Sequence, residues 1–189
     1  MTISSDQLIK GLLVKIGEAN EEAKGFKLLS AGQLNFKKNK DAWSILECVE
    51  HLNLYGDYYL EAIEKSMFSQ KNNSNSSIFK SGIIGNYFAN LMLVKDGKIK
   101  KMKSPKDKNP VNSHLTISTI DRFLKQQEKL TLLLQEATMV DLTKTKTSIS
   151  ISRHIKLRLG DTFRFFIYHI ERHILQAQRN IGLSEEHPV

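Results

Sequence analysis

Six histidines occur in this 189-residue chain, and three of them are spaced for metal chemistry. His169 and His173, in YHIERHILQAQRN, are four residues apart. On a helix that spacing stacks two imidazoles on one face, within reach of a single ion. His51 lies in an earlier stretch of helical periodicity, one residue before Leu52, and joins them if the two helices face each other. Three neutral imidazole nitrogens on one divalent cation leave a fourth position for water, which is the open coordination of a catalytic site. Such an ion lowers the pKa of its water from ~15.7 towards ~7, or binds and polarises a thiolate instead. The same spacing also arises on amphipathic helices whose histidines bond to backbone or water, and spacing alone leaves both readings open.

The residues around these histidines sort by the same arithmetic. Thr162, Phe165, Phe166, His169, His173, Gln176 and Asn180 recur at three and four, so they share a helix face. Gln176 on that face either orients a ligand or water or is a partly exposed residue near a helix end. Glu171 projects ~200° around the helix from His169 at ~100° per residue, so H-x-E-x-H is not the H-E-x-x-H of a metalloprotease. Glu47 precedes His51 by four residues and can serve as an acceptor or base behind it, but Ser44-Ile45-Leu46-Glu47 is a capping box and explains it more simply. Cys48 offers a thiol, although a lone cysteine on such a helix reads first as a small buried hydrophobe. His114 and His154 fall in or beside loops and His187 in a terminal tail, so none is given a role.

The elements that must carry this face are helices. Apolar residues at three and four from Asp6 to about Leu29 predict an amphipathic helix weakened by Gly11, Gly17 and Gly25. Residues 31–42 read as a polar, lysine-rich connection. A second helix starts at the Ser44 box, with Trp43 just before it, and runs to about Phe68. The SQKNNSNSS run at 69–77 is a low-complexity polar loop, and Ile78–Val94 reads as helical despite Gly82 and Gly85. A third helix is predicted over about Thr116–Ala137. Residues 138–153 alternate in TKTKTSISIS but read as a connector, because one isolated strand has no partner. The last helix begins between Ser152 and Asp161 and runs to Asn180, with Gly182 placed to end it. Four principal helices with long connections predict an all-α single domain over 1–189, a four-helix bundle.

Bulk composition bounds the function. Hydrophobic residues make up 40% and charged residues 25%, as in an ordinary globular domain. One cysteine cannot form an intramolecular disulfide, so the expected location is cytoplasmic. The N-terminus carries no signal-peptide pattern, and the most apolar window, Ile83–Val94, is interrupted by Asn86 and Asn90 and too short for a membrane span. The net charge is +8 and the pI about 9.5. Seven lysines and two aspartates between residues 95 and 108 hold +5 of that charge. With no helix-turn-helix, no zinc-finger pattern and no interleaved aromatics, a solvated loop is a better reading of this run than a nucleic-acid site.

Taken together, W-S-x-x-E-C-x-x-H-L at 43–52, the KMKSPK loop and L-G-D-T-F-R-F-x-x-x-H-x-x-R-H-x-x-Q-A-Q-R at 159–179 resemble the DinB-like superfamily. That group contains the DNA-damage-inducible DinB proteins and YfiT-type proteins regarded as metal-dependent hydrolases. The resemblance implies a four-helix bundle of up-down-down-up order in which His51, His169 and His173 bind a divalent metal, usually nickel or zinc. It also implies a small-molecule substrate. Relatives include S-transferases for low-molecular-weight thiols such as bacillithiol or mycothiol and a thiol-dependent maleylpyruvate isomerase, and family members often form homodimers. Two functional classes follow: a metal-dependent hydrolase or thiol S-transferase, or a non-catalytic stress-response or binding protein with a structural metal.

Overall fold

In chain order the computed structural model contains β1 (Thr2–Ser4), α1 (Ser5–Phe26), α2 (Ala31–Asn35), α3 (Ile45–Phe68), β2 (Ile78–Lys80), α4 (Ile83–Met92), α5 (Ser118–Glu136), β3 (Lys146–Ile149), β4 (Ser152–Arg158) and α6 (Leu159–Glu186). It describes residues 1–69, 76–99, 102–111 and 113–186. Most of the SQKNNSNSS run lies outside these residues, as do Lys100, Lys101 and His187. The chain is mostly helical, with two small antiparallel strand pairs beside the helices. Helices α1 and α3 each pack against both α5 and α6, and their apolar stripes close on a core containing Phe26, Tyr59, Phe123, Phe163 and Phe166. No described helix is long and apolar enough to cross a membrane.

The capping box at Ser44 forms as its spacing requires. Ser44 Oγ accepts from the Glu47 amide at 3.1 Å, and Glu47 Oε2 accepts from the Ser44 amide at 2.9 Å. Donors that the helix start would leave unpaired are thereby satisfied, and the register of α3, hence the direction of His51, is set at its first turn. A second box, Ser30 with Gln33, nucleates α2 inside the stretch expected to be irregular. Its glutamine form of the motif was present in the sequence as S-A-G-Q.

Three further expectations are corrected. The alternating segment after α5 is not a connector: β3 pairs with β4, Lys146 opposite Arg158 and Thr147 opposite Leu157. The chain doubles back to supply its own partner, at a turn without the Asn-Gly or Asp-Gly signal that marks most tight hairpins. The stretch from Ile78 is strand before it is helix, because β2 pairs with the N-terminal β1 across most of the first half of the chain. Helix α6 continues through Gly182 to Glu186. A glycine stops a helix by turning left-handed, and the positive-φ residues described are Asp96 and Gly97.

The start of α6 is clamped from two sides. Its first amides, on Leu159 and Gly160, donate to Thr145 O at 2.8 Å and Leu142 O at 3.1 Å, joining the helix to the hairpin. Asp161, fully buried, accepts from the Gly82 amide at 2.7 Å and so caps α4; it also receives Arg164 Nη1 at 3.0 Å and the Ser81 hydroxyl. A Cβ on Gly85 would fall closer than 3.0 Å to the Asp161 side chain, and one on Gly160 closer than 3.0 Å to the Phe79 ring. The L-G-D-T-F-R-F portion of the motif therefore docks α4 and the strands onto α6. It fixes the angular setting of the histidines farther along the same helix.

Candidate metal centre

Helix α3 supplies His51 and, one turn later, Tyr55; helix α6 supplies Phe165, His169, His173 and Gln176. Packing of α3 against α6 brings the imidazoles together. His51 Nε2 and His169 Nε2 are 3.1 Å apart, and the His173 ring centroid is 4.6 Å from each of the other two. One nitrogen from each ring lies within 4.8 Å of the others. All three side chains are buried, at 2–9% exposure.

Groups outside the cluster orient the rings. Lys108 O carries only lone pairs, so His51 Nδ1, at 2.6 Å, holds a proton and donates it, leaving the Nε2 lone pair facing the other imidazoles. His173 Nδ1 meets Gln176 Oε1 at 3.0 Å in the same manner. His169 Nδ1 is buried without a hydrogen-bond partner among the described residues. Tyr55 packs on His169 at 4.5 Å between centroids and Trp43 on His51 at 4.7 Å. The Trp43 carbonyl accepts from Asn180 Nδ2 at 2.7 Å, so α6 holds the tryptophan wall as well as two of the histidines.

Burial keeps these rings neutral. Desolvation lowers His51 from 6.5 to about 4; the hydrogen bond to Lys108 O opposes this shift and the Lys108 charge adds to it. His169 and His173 lie well below 6.5, first through desolvation and then through the neighbouring imidazoles and Arg172. At neutral pH the cluster therefore presents lone pairs rather than protons. Two nitrogens each ~2.0–2.1 Å from a tetrahedral ion sit ~3.3 Å apart, close to the observed Nε2 separation, so the donor set suits a divalent cation that takes imidazole ligands.

A cavity of about 820 Å³ opens over the cluster, with Trp43, Tyr55, Met92, Arg172, Gln176 and the loop around Ser104–Pro105 among its walls. The other sequence candidates fall elsewhere. Glu47 is not among the lining residues: one carboxylate oxygen completes the cap and the other takes Lys37 Nζ at 3.0 Å. Cys48 is fully buried, and desolvation followed by the Glu47 charge pushes its thiol far above the ordinary range, so it is neither ligand nor nucleophile. Glu171 points to α1 and pairs with Lys15 Nζ at 2.7 Å, as its angle around the helix requires. His114 and His154 are exposed and stand outside the cluster.

Three elements of the site escaped the sequence reading. Tyr55 was accessible as the residue four beyond His51. Trp43 was noted only for its place before the cap. The Lys108 carbonyl left no signal at all, since any residue type provides one.

No curated protein and no solved structure matches the chain. The histidine cluster nevertheless lies on the helices that carry the 43–52 and 159–179 motifs, and the family model described as the DinB superfamily matches residues 21–177, which include both. The cluster and the match together point to divalent-metal binding, and the chain belongs to the DinB superfamily.

Proposed function

We propose that the chain is a metal-dependent enzyme whose His51, His169 and His173 hold one divalent ion, nickel or zinc, at the base of a cavity open to small molecules. The observation that carries this reading is the combination of three neutral, inward-facing imidazoles with about 820 Å³ of accessible space above them. A structural ion would be closed off by a fourth protein ligand, whereas an open face admits a reactant. The helical packing, with α1 and α3 each against α5 and α6, supports the DinB arrangement of a four-helix bundle in up-down-down-up order.

A divalent ion at this site supplies Lewis acidity, which lowers the pKa of a water or a small thiol and suits hydrolysis or thiol S-transfer. The protein's own part is to orient and exclude. Lys108 O keeps the His51 proton on Nδ1, Gln176 Oε1 does the same for His173, and Trp43 and Tyr55 shield the imidazoles from bulk water. Because the rings are already neutral, metal binding displaces no proton from them at pH 7.

The test is elemental analysis of protein from cells supplied with both nickel and zinc, followed by assays of thiol transfer to electrophiles and of ester hydrolysis. About one equivalent of metal, lost in His169→Ala, and turnover that disappears on chelation are the expected results. Protein without stoichiometric metal would overturn the reading; one equivalent of metal with no turnover in either assay would favour the structural-metal class.

A further inference from the structure

Lys108, the last lysine of the basic run, is joined to α3 through both its backbone and its side chain. Its carbonyl accepts His51 Nδ1–H at 2.6 Å. Its ammonium donates to the Leu54 carbonyl in the next turn of α3 at 3.0 Å and lies 5.9 Å from the centre of the Tyr55 ring, within cation–π range. Tyr55 in turn packs on His51 at 4.9 Å and on His169 at 4.5 Å between centroids. The Asp107 carboxylate stands 3.9 Å from the same ammonium, and the lysine side chain is only 17% exposed. A lysine that its loop merely held in water would stay mostly exposed.

The turn that carries Lys108 is shaped locally, by residues that all lie within the described stretch 102–111. Pro105 and Pro110 bracket a single 3-10 turn over Lys106–Lys108, where each proline fixes φ and withholds an amide. The Lys108 amide donates to Pro105 O at 3.1 Å and the Asn109 amide to Lys106 O at 3.3 Å. The Ser104 hydroxyl donates to Lys108 O at 3.3 Å, a second bond on the carbonyl that faces His51. These bonds give the turn its form, and the contacts of Lys108 seat it on α3. A carbonyl in a surface turn directs a histidine only while its backbone is held in place. A positive charge beside a cation site repels the ion, so what the ammonium contributes to the site is geometry.

We propose that Lys108 is a positioning residue of the metal centre: its ammonium, anchored on α3, holds its own carbonyl against His51, so that seating of the 104–109 turn and occupancy of the histidines by a metal are coupled. The proposal rests on the reading of the cluster as a metal site. An ion on Nε2 makes Nδ1–H of the same ring a stronger donor, and the acceptor on Nδ1–H makes the ring a better ligand. Such a coupling is reciprocal: the metal holds the turn down by as much as the turn strengthens the metal. The same contact selects the tautomer that leaves Nε2 free for the ion.

The experiment compares the full-length wild type with Lys108→Met, which keeps an unbranched stem without a donor, and Lys108→Arg, which keeps charge and donors. Nitrogen-15 NMR of zinc-free protein reads the His51 tautomer with no ion present. Wild type and Lys108→Arg are expected to hold the proton on Nδ1, and Lys108→Met to distribute it over both nitrogens. Amide hydrogen exchange then reads the coupling. Zinc is expected to slow the Lys108 and Asn109 amides by about five-fold or more in wild type and Lys108→Arg, and by less than about two-fold in Lys108→Met. An unchanged tautomer in Lys108→Met would overturn the positioning role, and zinc-loaded wild type with unaltered exchange at these amides would overturn the coupling. Wild type that takes up no zinc defeats the preceding reading instead, and the tautomer, measured without metal, still decides what Lys108 does to His51.

Discussion

Acidification of the metal-free protein probes the buried cluster directly. In an unfolded chain an imidazole titrates near ~6.5, whereas in the fold His51 titrates at about 4. Between these values the unfolded chain takes up a proton that the folded one refuses, so stability is full above pH 6.5 and falls as the pH drops towards 4. At ~1.36 kcal/mol per pH unit, moving from pH 7.5 to pH 5 costs about 2 kcal/mol through His51 alone. His169 and His173 are depressed further by burial and add losses of the same sign. The variant protein used for comparison carries the same carboxylates, so it serves as the reference for any loss that the three histidines do not cause. The assay is urea unfolding of chelator-treated protein followed by circular dichroism at both pH values, in parallel with a variant carrying glutamine at positions 51, 169 and 173. The wild type is expected to lose at least about 2 kcal/mol more than the variant on acidification. Equal losses in the two proteins would refute the claim that these imidazoles are held neutral by burial.

The remaining predictions concern the scaffold and the outer support of the site. Gln176→Ala removes the partner of His173 Nδ1, and metal affinity measured by competition with a chromophoric chelator should fall by about 10- to 100-fold with the fold unchanged. Gly85→Ala forces a Cβ into the Asp161 side chain, which is fixed by Gly82 and Arg164, so thermal unfolding should show a loss of about 1–3 kcal/mol. Gly17→Ala meets nothing within 4 Å and should instead stabilise by about 0.5–1 kcal/mol, through helix propensity alone. Asp161→Ala leaves Arg164 buried without its carboxylate and α4 uncapped; a loss of about 3–5 kcal/mol is expected in denaturant titrations, visible also as increased amide exchange in α4.

What could be read from the sequence is what local chemistry decides. The four long helices follow from apolar residues at three and four, the start of α3 from a four-residue box, and the shared face of His169 and His173 from the pitch of one helix. The outward direction of Glu171 and the burial of Cys48 follow in the same way. The two strand pairs did not, because each depends on a partner: β1 meets β2 across more than seventy residues, and β3 meets β4 across a turn with no marked residues. Gly85 read as a residue that weakens its helix and proves to be clearance for Asp161, a contact between segments about seventy-five residues apart.

The site divides along the same line. Its three ligand candidates were visible from spacing and from the family resemblance, since residue type and helical phase are written locally. Their convergence, the depression of their pKa values and the wall formed by Trp43 arise only when α3 and α6 pack together and Ser104–Pro105 come to line the same cavity. Desolvation and enclosure belong to the packed volume and not to any one residue. For that reason the charge of the loop was legible from the sequence, while the cavity it faces was decided by the tertiary structure.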